Sequence, residues 1–180
     1  MDDLSVSKDR ATINAIFRDG KKIRGELFLA AHTESHYGHQ KVSDLLEGEK
    51  NFLPISIKGE GRTEFVNKNQ LLIVEGELAT EDDEEKIAMG LFHIEKVRLF
   101  FINDDVLEGA MLSEVPKERS RLSDCLNMDQ KFINFIKDGR YMYVNKRLLV
   151  KVEGIFDEKK EKGNETEEPD LSENQEEAVE

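Results

Sequence analysis

Gly61-Arg62-Thr63-Glu64-Phe65-Val66-Asn67-Lys68-Asn69-Gln70-Leu71-Leu72-Ile73-Val74-Glu75-Gly76 returns 78 residues later as Gly139-Arg140-Tyr141-Met142-Tyr143-Val144-Asn145-Lys146-Arg147-Leu148-Leu149-Val150-Lys151-Val152-Glu153-Gly154. Working outward, Val42-Ser43-Asp44-Leu45-Leu46 matches Leu122-Ser123-Asp124-Cys125-Leu126 at a spacing of 80. Phe17-Arg18-Asp19-Gly20 and Ile23-Arg24-Gly25-Glu26-Leu27 match Phe101-Ile102-Asn103-Asp104 and Leu107-Glu108-Gly109-Ala110-Met111 at a spacing of 84. The falling spacing leaves about six extra residues in two loops of the first copy. This is the pattern of a tandem duplication. Its unit of about sixty residues is domain-sized, longer than the modules of open solenoids.

Within each copy the pattern is mostly strand. Residues 11–18 alternate apolar and polar up to Asp19-Gly20, a hairpin signal. Residues 22–30 resume as a strand with Gly25 inside it, where a close backbone approach or a bend is the usual reason for glycine. Ser43 is a good N-cap ahead of Asp44-Leu45-Leu46, so one short helix is expected there, with Asp44 favourable in its first turn. Residues 51–58, 63–66 and 70–75 read as three more strands. The second copy repeats the series at 96–103, 106–113, 123–127 (helix), 131–137, 141–144 and 147–153. Five short strands bent at a glycine predict a small closed barrel, because closure removes edges. Its interior is filled by its own side chains and leaves no deep pocket.

The expected organisation is a first small barrel at 10–78, an acidic linker or hairpin tip at 79–86, a second barrel at 87–156 and an acidic tail at 157–180. The two barrels are expected to share an interface, with the strands flanking the linker able to continue as a hairpin. The chain carries 39 acids against 26 bases, a net charge of −13. The tail supplies −8 of it and the linker −4, so the two barrel segments are nearly neutral. The tail is almost devoid of apolar residues and is expected to be disordered, since it cannot offset the entropy of ordering. One cysteine excludes an internal disulfide and favours a reducing compartment. No apolar run approaches the length of a bilayer span, and Met1-Asp2-Asp3 is acidic where a secretory signal is basic. A cytoplasmic location without membrane contact is the expectation.

Phe17 to Leu29, with its Asp-Gly turn and central glycine, resembles the first motif of the Sm-like small-barrel family. Val66-Asn67-Lys68 leading into Leu71-Leu72-Ile73-Val74 is similar to that family's closing turn and last strand. The resemblance implies a five-stranded barrel and, as one function, binding of single-stranded RNA. It covers two short pieces of each copy and departs from the family in its helix, which falls between the second and third strands instead of at the start. Ser43-Asp44-Leu45-Leu46 with Phe52-Leu53-Pro54 also resembles a signature of a class of bacterial proteins, a likeness that brings no activity with it.

Residues shared by both copies have packing roles to fill first. Phe52 and Phe132 are expected in the core, and Asn67 and Asn145 in a turn that needs positive φ or a side-chain-to-backbone bond. Arg62 and Arg140 are each expected to pair with an acid of their own copy, Asp44 and Asp124 being the first choices. Cys125 stands where the first copy has Leu45, which marks a core position and not a nucleophile. His32, His36 and His39 are spaced to share one helical face and so to hold zinc. The second copy has no histidine there, and Gly38 favours a solvated loop. No nucleophile elbow, glycine-rich phosphate loop or spaced carboxylate pair appears, so neither catalysis nor a cofactor is expected.

Two functions fit these residues. One is a non-enzymatic protein-interaction or regulatory adaptor, with another protein as partner and the acidic tail as an accessory. The other is single-stranded nucleic-acid binding, with Arg62, Lys68, Arg140 and Lys146 on phosphates and Phe65 and Tyr143 as stacking surfaces. Balanced charge in both copies and an aromatic content of 7% favour the adaptor.

Overall fold

The computed structural model describes residues 8–30, 40–76, 92–114 and 121–155. The first half contains β1 (Lys8–Phe17), β2 (Lys22–Ala30), α1 (Val42–Glu47), β3 (Phe52–Ile57), β4 (Thr63–Asn67) and β5 (Leu71–Glu75). The second half contains β6 (His93–Phe101), β7 (Val106–Ser113), α2 (Leu122–Leu126), β8 (Phe132–Lys137), β9 (Arg140–Asn145) and β10 (Leu149–Gly154). The element order is therefore the same twice, with the helix between the second and third strands. The acidic segments 79–86 and 157–180 lie outside the described residues.

All ten strands belong to one open antiparallel sheet in the order β10-β6-β7-β8-β9-β5-β1-β2-β3-β4. The mainly β architecture is as expected, and among the described residues the strands form an open sheet in which two closed barrels are not seen. In neither half do the outermost strands pair with each other; β5 pairs instead with β9 of the other half. The hairpin expected across the acidic linker falls on residues outside the described ones; among the described residues β5 and β6 are not neighbours. β5 lies between β1 and β9, and β6 lies between β7 and β10. The physical reason is one of valence: a strand has two edges, and β5 has both filled by partners other than β6.

Local chemistry explains most element boundaries. Gly20 takes φ +81°, and its N–H donates to Phe17 O at 2.9 Å to close the first hairpin. Asp104 holds the matching position at φ 65°, which a short polar side chain tolerates. The two central glycines are there for close approach. A Cβ on Gly25 would lie 2.4 Å from Ile55 Cγ2 and 2.6 Å from Ser56 O, and one on Gly109 would lie 2.6 Å from Ile136 O. Helix α1 starts two residues earlier than a Ser43 cap would set, so Lys41 and not Ser43 is the N-cap. The Asp44 carboxylate accepts from the Lys41 N–H at 2.8 Å, which satisfies a donor the cap side chain does not. Asn67 and Asn145 have φ of −72° and −69°, so they use the side-chain bond and not positive φ. Each Oδ1 accepts from the N–H two residues on, at 3.0 and 3.1 Å, and opens a single 3-10 turn before the last strand of its half.

The core forms two principal clusters that trade residues across the middle of the sheet. The second-half cluster includes Leu72 and Ile73, with Ile16 packed against it, and the first-half cluster includes Phe132. Cys125 is buried, with its Sγ 3.1 Å from Ser113 Oγ. Phe52 is the exception to the core reading, being 54% exposed where its counterpart Phe132 is 5%. No helix among the described residues is long and apolar enough to cross a membrane.

Gly25→Ala is expected to lower the free energy of unfolding by about 1–3 kcal/mol through overpacking against β3. Gly76→Ala, whose Cβ would meet nothing nearer than Tyr143 Cε2 at 3.9 Å, is expected to stay within about 0.5 kcal/mol of the parent. Urea midpoints of the two variants decide the comparison.

Candidate functional site

The sheet turns from one half to the other at the seam between β5 and β9. Ile73, Val74 and Glu75 stand opposite Val144, Tyr143 and Met142. Side chains lock this pairing at one end. Asn145, 1% exposed, donates from Nδ2 to Leu71 O at 2.9 Å and to Lys68 O at 3.3 Å. Glu47, the last residue of α1, accepts through its carboxylate from the N–H groups of Lys131 and Phe132 at 2.8 Å each. Lys131 Nζ returns the contact to Glu47 O at 2.9 Å and Gly48 O at 3.0 Å. Hydrogen bonds to an ionised partner are the stronger kind, and these join backbone donors to a carboxylate across the halves. Between them Phe132 enters the first-half core, and Leu72, 1% exposed, enters the second.

The nominated binding residues divide by environment. Lys68 is 1% exposed, and its ammonium donates to Leu45 O at 3.2 Å and to Gly48 O, at the end of α1. Lys146 donates likewise to Met128 O, just beyond α2. Both cations meet carbonyls left without intrahelical partners. Burial pushes both lysines below the ordinary value; Lys131 lowers Lys68 further, while Glu47 acts in the opposite sense on each. The unfolded chain therefore holds more protons than the folded one between the lowered and the ordinary value, so stability rises with pH across that window.

Arg62 does not reach Asp44. It pairs with Glu60 at 2.6 Å and Glu64 at 2.9 Å, both acids of its own half. Arg140 is exposed and makes no ion pair among the described residues, Asp124 included. Phe65 on β4 is 72% exposed, whereas Tyr143 is half-buried at the seam, edge-to-face with Tyr141 at 5.4 Å. The six residues thus do not share one environment: two are turned into the protein, one lies in the seam and three lie on the surface. His32, His36 and His39 fall outside the described residues.

Sequence reasoning missed Glu47, Lys131 and the seam role of Asn145. Asn145 had a signal, since it is identical to Asn67, but a turn bond was enough to explain both. Two shallow clefts lie beside the seam, of about 190 and 360 Å³. The smaller has an apolar floor of Ile16, Leu72 and Leu107 with Lys22 and Asp105 at its rim.

Lys68→Met keeps the bulk of the side chain and removes its donor. It is expected to cost about 1–3 kcal/mol in urea unfolding, the penalty for stranded buried acceptors. Arg62→Ala removes only exposed ion pairs and is expected to cost less than about 1 kcal/mol. Equal losses from the two changes would contradict this division of roles.

No protein-family model matches the chain, and no curated protein or solved structure matches it.

Proposed function

We propose that the chain is a tandem duplicate of a small Sm-like β module that acts as a non-enzymatic protein-interaction or regulatory adaptor, engaging its partners by strand addition. One observation carries this reading. Among the described residues the sheet ends in two unpaired edges, β4 and β10, flanked by Phe52, Phe65 and Val150 at 54%, 72% and 71% exposure. An open edge offers a row of backbone donors and acceptors, and adjacent exposed apolar side chains supply the pockets and knobs that give strand addition its affinity. Soluble sheets commonly blunt such edges with lysine, proline or a bulge. β4 has none of these: its sequence is Thr63-Glu64-Phe65-Val66-Asn67, and its register with β3 runs unbroken.

The nucleic-acid alternative draws less support. The ammonium groups of Lys68 and Lys146 are committed to carbonyls at the helix ends, and Arg62 sits between two glutamates. What is left for a phosphate strip is Arg140 alone, with Phe65 as the exposed aromatic. That is thin for binding whose strength comes from several cations at once.

Two measurements test the adaptor. Peptides selected from a random displayed library are expected to be extended and alternately apolar, and to slow hydrogen exchange at the amides of Thr63–Asn67. Fluorescence polarisation with short single-stranded RNA and DNA is expected to show no saturable binding at low salt, for the full chain and for residues 1–156 alike. Binding that weakens with salt and disappears on replacing Arg62 and Arg140 by alanine would overturn the adaptor in favour of the alternative.

A further inference from the structure

Each half places one outer strand in the seam and leaves the other open. The first half contributes β5 and leaves β4; the second contributes β9 and leaves β10. Because the element order repeats, β4 is the counterpart of β9, and β10 is the counterpart of β5. Exposure at counterpart positions shows what the seam supplies and the free edges lack. Leu72 in the seam is 1% exposed, and its counterpart Val150 is 71%. Phe132, seated in the opposite half's core, is 5% exposed, and its counterpart Phe52 is 54%. The two open edges therefore carry apolar knobs at the seam's positions, Phe52 for Phe132 and Val150 for Leu72, with nothing covering them among the described residues.

We infer that β4 of one molecule pairs with β10 of a second copy of this chain, head to tail, in the register of the seam. The inference rests on the strand-addition reading above and names the partner. In that register Lys151 stands opposite Val66, Val152 opposite Phe65 and Glu153 opposite Glu64, as Ile73, Val74 and Glu75 stand opposite Val144, Tyr143 and Met142. Asn67, which keeps the same turn bond as Asn145, donates from Nδ2 to the carbonyls of Lys146 and Leu149 in the second copy. Phe52 enters the second-half core of that copy as Phe132 enters the first-half core at the seam.

A second copy is favoured over an unrelated strand because the chain carries the strands, the asparagine and the phenylalanine of a contact it already makes once internally, with Asn127 and Asn51 standing where the seam has Glu47 and Lys131. The least favourable element is the meeting of two carboxylates. Each has its own cation: Glu64 pairs with Arg62 at 2.9 Å, and Glu153 with Lys151 at 2.6 Å and Arg98 at 3.5 Å. The joined edges differ from each other, so the contact is heterologous. It continues from copy to copy until a ring closes or a filament forms.

The test is light scattering coupled to size exclusion on the full chain, with two single variants at exposed positions. F52E removes the knob on the β4 side and leaves β10 intact; V150E places a charge on the β10 side and leaves β4 intact. The parent is expected to assemble beyond two copies. Each variant alone is expected to be a monomer with unchanged circular dichroism and melting. An equal mixture of the two is expected to give a one-to-one dimer, since each supplies the edge the other lacks. Glu64→Met, which installs the residue found at the counterpart position Met142, is expected to shift assembly to at least severalfold lower concentration. A parent that stays monomeric at about 100 μM, far above the range of specific contacts, would sink the inference. So would either variant associating by itself, or a mixture that does not dimerise. A monomeric parent leaves the adaptor reading to be decided separately by peptide protection at Thr63–Asn67.

Discussion

Unpaired backbone along a strand edge is the constraint around which this molecule is arranged. Ten strands in one open sheet have nine pairings, and the one that joins the halves is β5 with β9. Without it each half would keep two bare edges and an incomplete core. With it, Phe132 fills the first-half core, Leu72 and Ile73 fill the second, and the carboxylate of Glu47 meets two N–H groups that would otherwise lack partners. Burying a side chain of this size contributes about 1.5–3 kcal/mol, so the knobs and the ladder work in the same direction.

The lysines at the strand corners show how one side chain serves several levels of structure. Lys68 follows the asparagine that opens the 3-10 turn, and its ammonium reaches the carbonyls at the end of α1. That links the turn before β5 to the helix whose last residue, Glu47, grips β8. Lys146 makes the same connection in the other half, to the carbonyl of Met128. A buried cation loses hydration and regains hydrogen bonds only if the acceptors are already in place. The helices are five and six residues long, too short to stand alone, and are held by these contacts.

Much of the fold was legible because its signals are local. Asp19-Gly20 marked a hairpin that Gly20 closes with positive φ, and Gly25 marked the strand where β3 approaches too closely for a Cβ. The helix stood where Ser43-Asp44-Leu45-Leu46 placed it, starting two residues earlier with Lys41 as N-cap and the Asp44 carboxylate accepting from the Lys41 N–H. The candidate site was harder to read. Phe52 and Phe132 are the same residue at the same place in the strand order of each half, and nothing in either stretch says that one is buried by the opposite half and the other is not. Lys68 and Lys146 looked like surface cations because a lysine after a strand usually is one. The helix end each reaches lies about twenty residues away along the chain.

The sequence by itself determined what adjacent residues decide: the repeat, the strand and helix order within each half, the hairpin turns and the tight glycines. These follow from φ preferences, alternation and short-range hydrogen bonds, which act over a few residues. Tertiary structure alone decided that the halves join through β5 and β9 and that, among the described residues, the sheet stays open with β4 and β10 as its edges. A strand edge is the same backbone whatever its side chains, so which edge it meets is set by the whole surface around it: the reach of Glu47, the seat for Phe132 and the carbonyls awaiting Asn145.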